Sequence, residues 1–263
     1  MTMIRTPAVA GSFYPGDAAQ LGRTVGFLLD EVENGVGAAP KALIVPHAGY
    51  IYSGPVAATA YARLRPHRDQ YRRVVLLGPC HRVPVNGLAL SGADVFRTPL
   101  GDVSLDRERI AGIALPGVEV FDETHQFEHS LEVHLPFLQS VLPDFLLIPI
   151  VVGYTRPERV AEVLDELWGG PETLIVISSD LSHYQEYDRA RAMDARTCHA
   201  IETMETGGLD HDTACGATPI AGLLITAKRR GMQVTTLDLR NSGDTAGDRD
   251  AVVGYGAWSF TEQ

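Results

Sequence analysis

Short apolar runs alternate with amphipathic segments along almost the whole chain. Ala42–Val45, Arg73–Leu77, Leu146–Val152 and Thr173–Ser178 are rich in β-branched residues or leucine and have the length of strands. Near-continuous hydrophobicity over so few residues predicts strands buried on both faces. Between them, apolar residues recur at helical spacing in Gly54–Leu64, Ser130–Val141, Pro157–Trp168, Asp188–Met204 and Pro219–Arg230. Pro157 suits the first turn of its helix, and Gly231 stands where the last of these helices should stop. Two further strands, Gln233–Leu239 and Ala251–Phe260, close the chain, the second alternating small and large residues. Gly87–Glu119 has several turn signals and weak periodicity, which predicts a hairpin and a short helix laid over the main sheet.

The strand–helix order repeats without a Pro/Ser-rich linker, a break in composition or an internal repeat. That pattern predicts one α/β domain over residues 1–263, in three layers, with a central mixed, largely parallel sheet and helices on both faces. Composition agrees with an ample core, since 45% of the 263 residues are hydrophobic and 21% charged. The 22 Lys+Arg against 33 Asp+Glu leave a net charge of −11. Such acidity argues against a nucleic-acid partner, because phosphate recognition needs a basic patch. No basic amphipathic stretch addresses a membrane surface. The longest apolar run, Phe145–Val152, falls far short of the roughly 18 residues of a membrane span. The acidity is also uneven: 13 Asp+Glu and only 4 Lys+Arg fall between Pro157 and Asp212. Solvated helix faces account for most of it; a field that draws cations toward a nearby site is the sharper reading. The segment Met1–Pro7 lacks the basic and apolar regions of a signal peptide. Three scattered cysteines, Cys80, Cys198 and Cys215, suit a reducing compartment. The expected location is the cytoplasm, with no membrane contact.

Four places join an apolar stretch to a side chain that can bind metal: Leu43–Tyr50 with His47, Val74–His81 with Cys80 and His81, Leu174–His183 with Asp180 and His183, and His211–Gly216 with Cys215. In open α/β sheets ligands bind just beyond the carboxyl ends of the strands. Histidines at three such ends can converge on one crevice although they are far apart in sequence. Each residue alone has a plainer reading. His47 and His81 could be turn residues, Asp180 could cap the following helix, and Cys215 could be a small buried hydrophobe. The coincidence of all four favours a site. Neutral imidazole and thiolate are good ligands for iron, copper or zinc, so His47, His81 and Cys215 form a candidate three-ligand set with open positions. Cys215 precedes Gly216 at an expected helix N-terminus, where the dipole favours thiolate. Asp180 and His183, three apart, are the candidate catalytic pair, His183 as general base or as a hydrogen-bond partner of a bound substrate, and Asp180 as its orienting partner or a further ligand. Cys80 is read as packing.

The segment Asp122–His134 is rich in His and Glu without the spacing of a zinc-protease helix. A capped helix start explains much of it; His129 and Glu132, three apart, are candidates for a pocket wall behind the ligands. No Gly-rich phosphate loop and no Gly-x-Ser-x-Gly elbow occurs. Asn241–Asp248 is turn-rich and reads equally as pocket lining or as surface loop.

Taken together, several stretches resemble the Memo family, whose prokaryotic members are labelled AmmeMemoRadiSam system protein B. They are Arg5-x-Pro-Ala-Val-Ala-Gly-Ser-Phe-Tyr-Pro15, Pro46-His-Ala-Gly-Tyr-x-Tyr-Ser-Gly54, Leu77-Gly-Pro-Cys-His81, Glu128-His-Ser-Leu-Glu-Val-His-Leu-Pro-Phe137, Ser178-Ser-Asp-Leu-Ser-His183, Cys215-Gly216 and Asn241-Ser-Gly-Asp244. They run in order over nearly the whole chain and are specific in combination. That family is similar in fold to class III extradiol dioxygenases, which hold a non-haem iron on two His and a carboxylate. The resemblance implies a mononuclear metal pocket of His47, His81 and Cys215 with Asp180 and His183 beside it. Cys215 stands where those dioxygenases have a carboxylate, and Cys80 where serine is more usual. It also implies AMMECR-type and radical-SAM proteins of the same system as partners.

Three functions follow as expectations. The first is a metalloprotein carrying one divalent transition metal, iron first, copper or zinc next, with oxidase or dioxygenase-like chemistry on a small substrate. The second is a non-catalytic binding protein that uses the same cleft for a small anionic ligand or a partner peptide. The third is a zinc hydrolase in which His183 or Glu132 activates a water.

Overall fold

The structure, a computed structural model, describes residues 2–33 and 37–262; both ends of the expected 1–263 domain lie outside the described residues. In chain order the strands are β1 (Ile4–Arg5), β2 (Ala42–Val45), β3 (Arg73–Pro79), β4 (Leu88–Leu90), β5 (Val95–Thr98) and β6 (Gly101–Ser104). They continue with β7 (Val118–Val120), β8 (Leu146–Val152), β9 (Thr173–Ser178), β10 (His183–Gln185), β11 (Gln233–Asn241) and β12 (Val252–Thr261). The helices are α1 (Ala18–Asp30), α2 (Tyr50–Ala62), α3 (Arg107–Gly112), α4 (Asp122–Gln126), α5 (Leu135–Val141), α6 (Pro157–Leu167), α7 (Tyr187–Glu202) and α8 (Ala217–Arg229).

The four apolar runs form the parallel centre of the main sheet, in the order β2-β9-β3-β8. Their residues are almost all buried, as strands covered on both faces require. Antiparallel strands flank them: β12 beside β2, with β11 and β10 along it, and β4 beside β8. The sheet is therefore mixed with a parallel core. Helices α1, α2 and α5 pack together on one face, α6 and α8 on the other. Alternation along β12 places α7 with the second group, because Gly254 faces Asp194 of α7 while Tyr255 turns toward Tyr52 of α2.

Three local readings change. In 87–119 the hairpin β5–β6 and the short helix α3 are present, but the hairpin joins β1 in a separate three-stranded sheet. Strands β4 and β7 instead extend the main sheet, and three residues each are too few to show a period. The helix expected over Ser130–Val141 begins only at Leu135, with Pro136 in its first turn, after a 3₁₀ turn over Glu132–His134. Helix α1 was not anticipated; its buried stripe Leu21, Val25 and Leu29 is broken up by Gly22 and Gly26, poor helix formers. Among the described residues no helix is long and apolar enough to cross a membrane.

Candidate metal centre

Strands β2, β3 and β9 end side by side, and His47, His81 and Asp180 follow directly from those ends. Because β9 inserts between β2 and β3, Ser178 and Asp180 come to lie between His47 and His81. Two bare α-carbons let other segments close in. A Cβ on Gly78 would stand 2.8 Å from Ser130 Oγ and 2.9 Å from Leu131, so the 128–131 segment can lie on the end of β3 only over glycine. A Cβ on Gly216 would meet the Ser178 carbonyl oxygen and the Ser179 Cβ, both at 2.6 Å, so glycine brings Cys215 against the end of β9.

The result is a triangle of imidazoles. Ring centroids are 5.2 Å apart for His47 and His81, 5.5 Å for His47 and His129, and 4.7 Å for His81 and His129. One ring nitrogen from each lies within 4.8 Å of the others. An ion with metal–nitrogen bonds of about 2.1 Å draws such donors closer still, by side-chain movements of about an ångström.

Hydrogen bonds decide which nitrogens carry lone pairs. The Ser178 hydroxyl donates to the Ser130 carbonyl at 2.6 Å. Its only proton is thereby spent, so at 2.6 Å it must accept from His47 Nδ1–H, and His47 Nε2 is left with its lone pair. His81 Nδ1 lies 3.0 Å from Glu128 Oε1 and donates to it, which frees Nε2 of His81 in the same way. Glu128 also accepts from the backbone N–H groups of His81, His129 and Ser130. Burial alone would raise this carboxyl, but the His81 ring and these N–H groups outweigh it and hold it at about 2. His129 Nδ1 is buried without a hydrogen-bond partner, 3.3 Å from Glu128 Oε1. Burial keeps His47 neutral and brings His129 down to about 4.

Cys215 meets this triangle at one vertex: its Sγ is 3.4 Å from His47 Nε2 and accepts from the Asp180 N–H at 3.3 Å. The expected helix-stabilised thiolate is corrected here. Burial, and then the Asp180 carboxylate, push the thiol up to about 12, outweighing the first turn of α8. Without a cation Cys215 is therefore a thiol that donates to His47. Asp180 caps no helix, since Glu186 caps α7; its Oδ1 receives the His47 N–H at 2.7 Å. Burial raises Asp180 to about 7. His183 stands on β10, half-buried and held neutral chiefly by burial. Its neighbour Tyr184 adopts φ = 54°, a left-handed conformation that costs a non-glycine residue about 1–3 kcal/mol.

Glu132 is not a pocket wall. Fully buried, it receives the Tyr14 hydroxyl at 2.5 Å, the Ala8 and Val9 N–H groups at 2.7 and 3.0 Å, and an ion pair from Arg5. The chain around 128–131 is not helical, and the Glu132 carboxylate is turned to the N-terminal segment. With no oxygen left over, Glu132 cannot activate a water. Cys80 donates to the Val83 carbonyl at 2.9 Å and packs on the core. Cys198 lies buried on α7 beside Thr236.

Two hollows reach the centre. One, of about 510 Å³, is lined by His129, Asp180, His183 and Tyr255, with Phe13 and Tyr184 at its walls. The other, of about 460 Å³, is lined by His81, Cys215, Cys80, Arg82 and His211. Ser242, Gly247 and Asp248 place the 241–248 loop against the first hollow. Sequence reasoning missed Glu128, although it directly precedes His129, and Ser178, whose role depends on β9 lying beside β2. It also missed Tyr255, which the alternation of β12 hides among core residues. In the 157–212 segment, Asp180 and Asp194 are the buried carboxylates and the others lie on the surface.

Comparison with known proteins bears on this arrangement. A MEMO1 family protein of Sulfolobus acidocaldarius is 38% identical over 278 residues, covering 96% of this chain and 98% of that protein. One from Aquifex aeolicus is 38% identical, covering 96% and 97%, and one from Methanosarcina mazei is 36% identical, covering 97% and 98%. Among solved structures, an uncharacterized protein of Escherichia coli K12 shares the fold with a TM-score of 0.52 at 12% identity, over 83% of this chain and 98% of its own. A model of the family described as Memo-like protein matches residues 5–259. The chain belongs to the Memo family.

Proposed function

We propose that this protein holds one divalent transition-metal ion on His47, His81 and Cys215, with His129 within reach as a fourth donor. The observation that carries the reading is the fixed tautomer of two imidazoles: Ser178 and Glu128 each take an Nδ1 proton and leave an Nε2 lone pair toward the cluster. Imidazole and thiolate together suit iron, copper or zinc, and we rank them in that order. When bound, such an ion supplies Lewis acidity and, for iron or copper, a one-electron couple for oxidase or dioxygenase-like chemistry.

The chain's own residues supply the rest. His183, neutral and facing the hollow, accepts a proton from a bound substrate. Asp180 anchors the His47 backbone and so sets how far that imidazole reaches. The Phe13 ring packs edge-on against His129, centroids 5.0 Å apart, and shelters that side of the imidazole from water. A zinc hydrolase is less well supported, because Glu132 is committed elsewhere and His183 alone would have to activate the water. The test is metal analysis of anaerobically purified protein beside His47→Ala and Cys215→Ser variants. The reading expects about one metal per chain in the wild type and loss of most of it in His47→Ala; full occupancy in His47→Ala would refute it.

A further inference from the structure

The two hollows differ in charge. Among the described residues, the one that opens on His81 and Cys215 is lined by Arg82 and by no carboxylate. The one that opens on His129 and His183 is lined by Asp180 and Asp248 and, among the described residues, by no lysine or arginine. Arg249, next to Asp248, does not line it; its guanidinium stacks on Tyr187, 4.3 Å from the ring centre.

Four aromatic rings surround that second space: Phe13, Tyr52, Tyr184 and Tyr255. Tyr184, in a left-handed backbone conformation beside His183, lines the hollow while 76% exposed. Tyr255 is only 2% exposed and lines the hollow close to Asp180 and to the Tyr52 and Tyr184 phenols. Aromatic side chains and carboxylates with no lysine or arginine among them are surroundings in which an ammonium group is bound.

We infer that the ligand of this hollow is a small amine in its protonated form, its ammonium set among Tyr52, Tyr184 and Asp248 and its other end beside Tyr255 and the imidazole cluster. The inference rests on the proposed metal centre for what lies at the inner end, and it replaces the anionic ligand expected from sequence with a cationic one.

The full-length, metal-free protein is titrated calorimetrically near pH 7 with three probes of one shape: benzylamine, benzyl alcohol and benzoate. Benzylamine is expected to bind at least about fivefold more tightly than benzyl alcohol and at least about tenfold more tightly than benzoate. Tyr184→Leu, at an exposed position that leaves the core intact, is expected to weaken benzylamine about fivefold and benzyl alcohol less. Tyr255→Phe is expected to weaken whichever probe reaches the inner end, with thermal unfolding as the control for folding. Benzoate binding as tightly as benzylamine, equal binding of amine and alcohol, or no binding of any probe overturns the inference. Metal content is measured on separate samples, so metal bound without amine sinks only this inference, and amine bound without metal sinks only the metal reading.

Discussion

The Ser178 hydroxyl stands 2.6 Å from His47 Nδ1 and gives its own proton to the Ser130 carbonyl. One serine thus decides which His47 nitrogen is free to bind a cation. Ser178→Ala leaves His47 in place but unlocks its tautomer. Orienting partners of this kind are worth about 10–100-fold in metal affinity. Competition against a chelator is expected to show a loss in that range, with the circular dichroism spectrum unchanged.

Proton release reports directly on Cys215. Its thiol, at about 12 in the metal-free protein, must lose its proton to become a ligand. Wild type is expected to release about one more proton per ion bound than Cys215→Ser, measured near pH 7 with an indicator dye in weak buffer. Affinity for the ion should accordingly rise with pH about tenfold per unit more steeply in wild type than in the variant. Equal slopes would remove the sulfur from the coordination sphere.

Asp194 makes stability fall as the solution becomes less acidic. Burial beneath Gly254 raises its carboxyl to about 6 in the folded chain, against about 3.9 when unfolded. Between those values the folded state binds more protons than the unfolded one, so the contribution is favourable in acid and is lost as pH rises through about 6. A shift of roughly two units corresponds to about 3 kcal/mol. Asp194→Asn keeps an acceptor for the Ser182 N–H and does not titrate. Relative to wild type it is expected to gain stability between pH 4 and 7 in urea unfolding, and a constant difference would contradict this.

Glu132 binds the N-terminal segment rather than the ion. Removing it leaves the buried Arg5 guanidinium with the His125 and Glu128 carbonyls but no counter-charge. Breaking a buried pair in this way costs about 3–5 kcal/mol. Glu132→Ala is expected to lower the unfolding free energy from urea titration by that amount and to open residues 5–15 to proteolysis. The folded fraction should still take up metal, which separates this role from one in the site.

Much of the architecture is legible in the chain because buried parallel strands write themselves as unbroken apolar runs. The four central runs became β2, β3, β8 and β9 with nearly the expected bounds. Helix α1 escaped because two glycines thin its propensity, and β4, β7 and β10 because three residues carry no period. His47, His81, Asp180, His183 and Cys215 stood out because each follows or borders an apolar element. His129 was read only as a pocket wall, since its place beside His81 depends on the bare α-carbon of Gly78, which no local pattern reveals. Glu128 and Ser178 act through neighbours that only the strand order supplies.

That order also sets a timetable. Strand β9 lies between β2 and β3 although it is made after both, and the Cys215 segment follows later still. An emerging chain that has already exposed His47, His81 and His129 still lacks Ser178 to orient the first of them. The gap between β2 and β3 must stay open until more than half of the protein has left the ribosome. Premature trapping of an ion by the early histidines is thereby disfavoured. On the proposed reading, an ion held by His47 and His81 ties together the ends of β2 and β3 once β9 has closed the sheet between them.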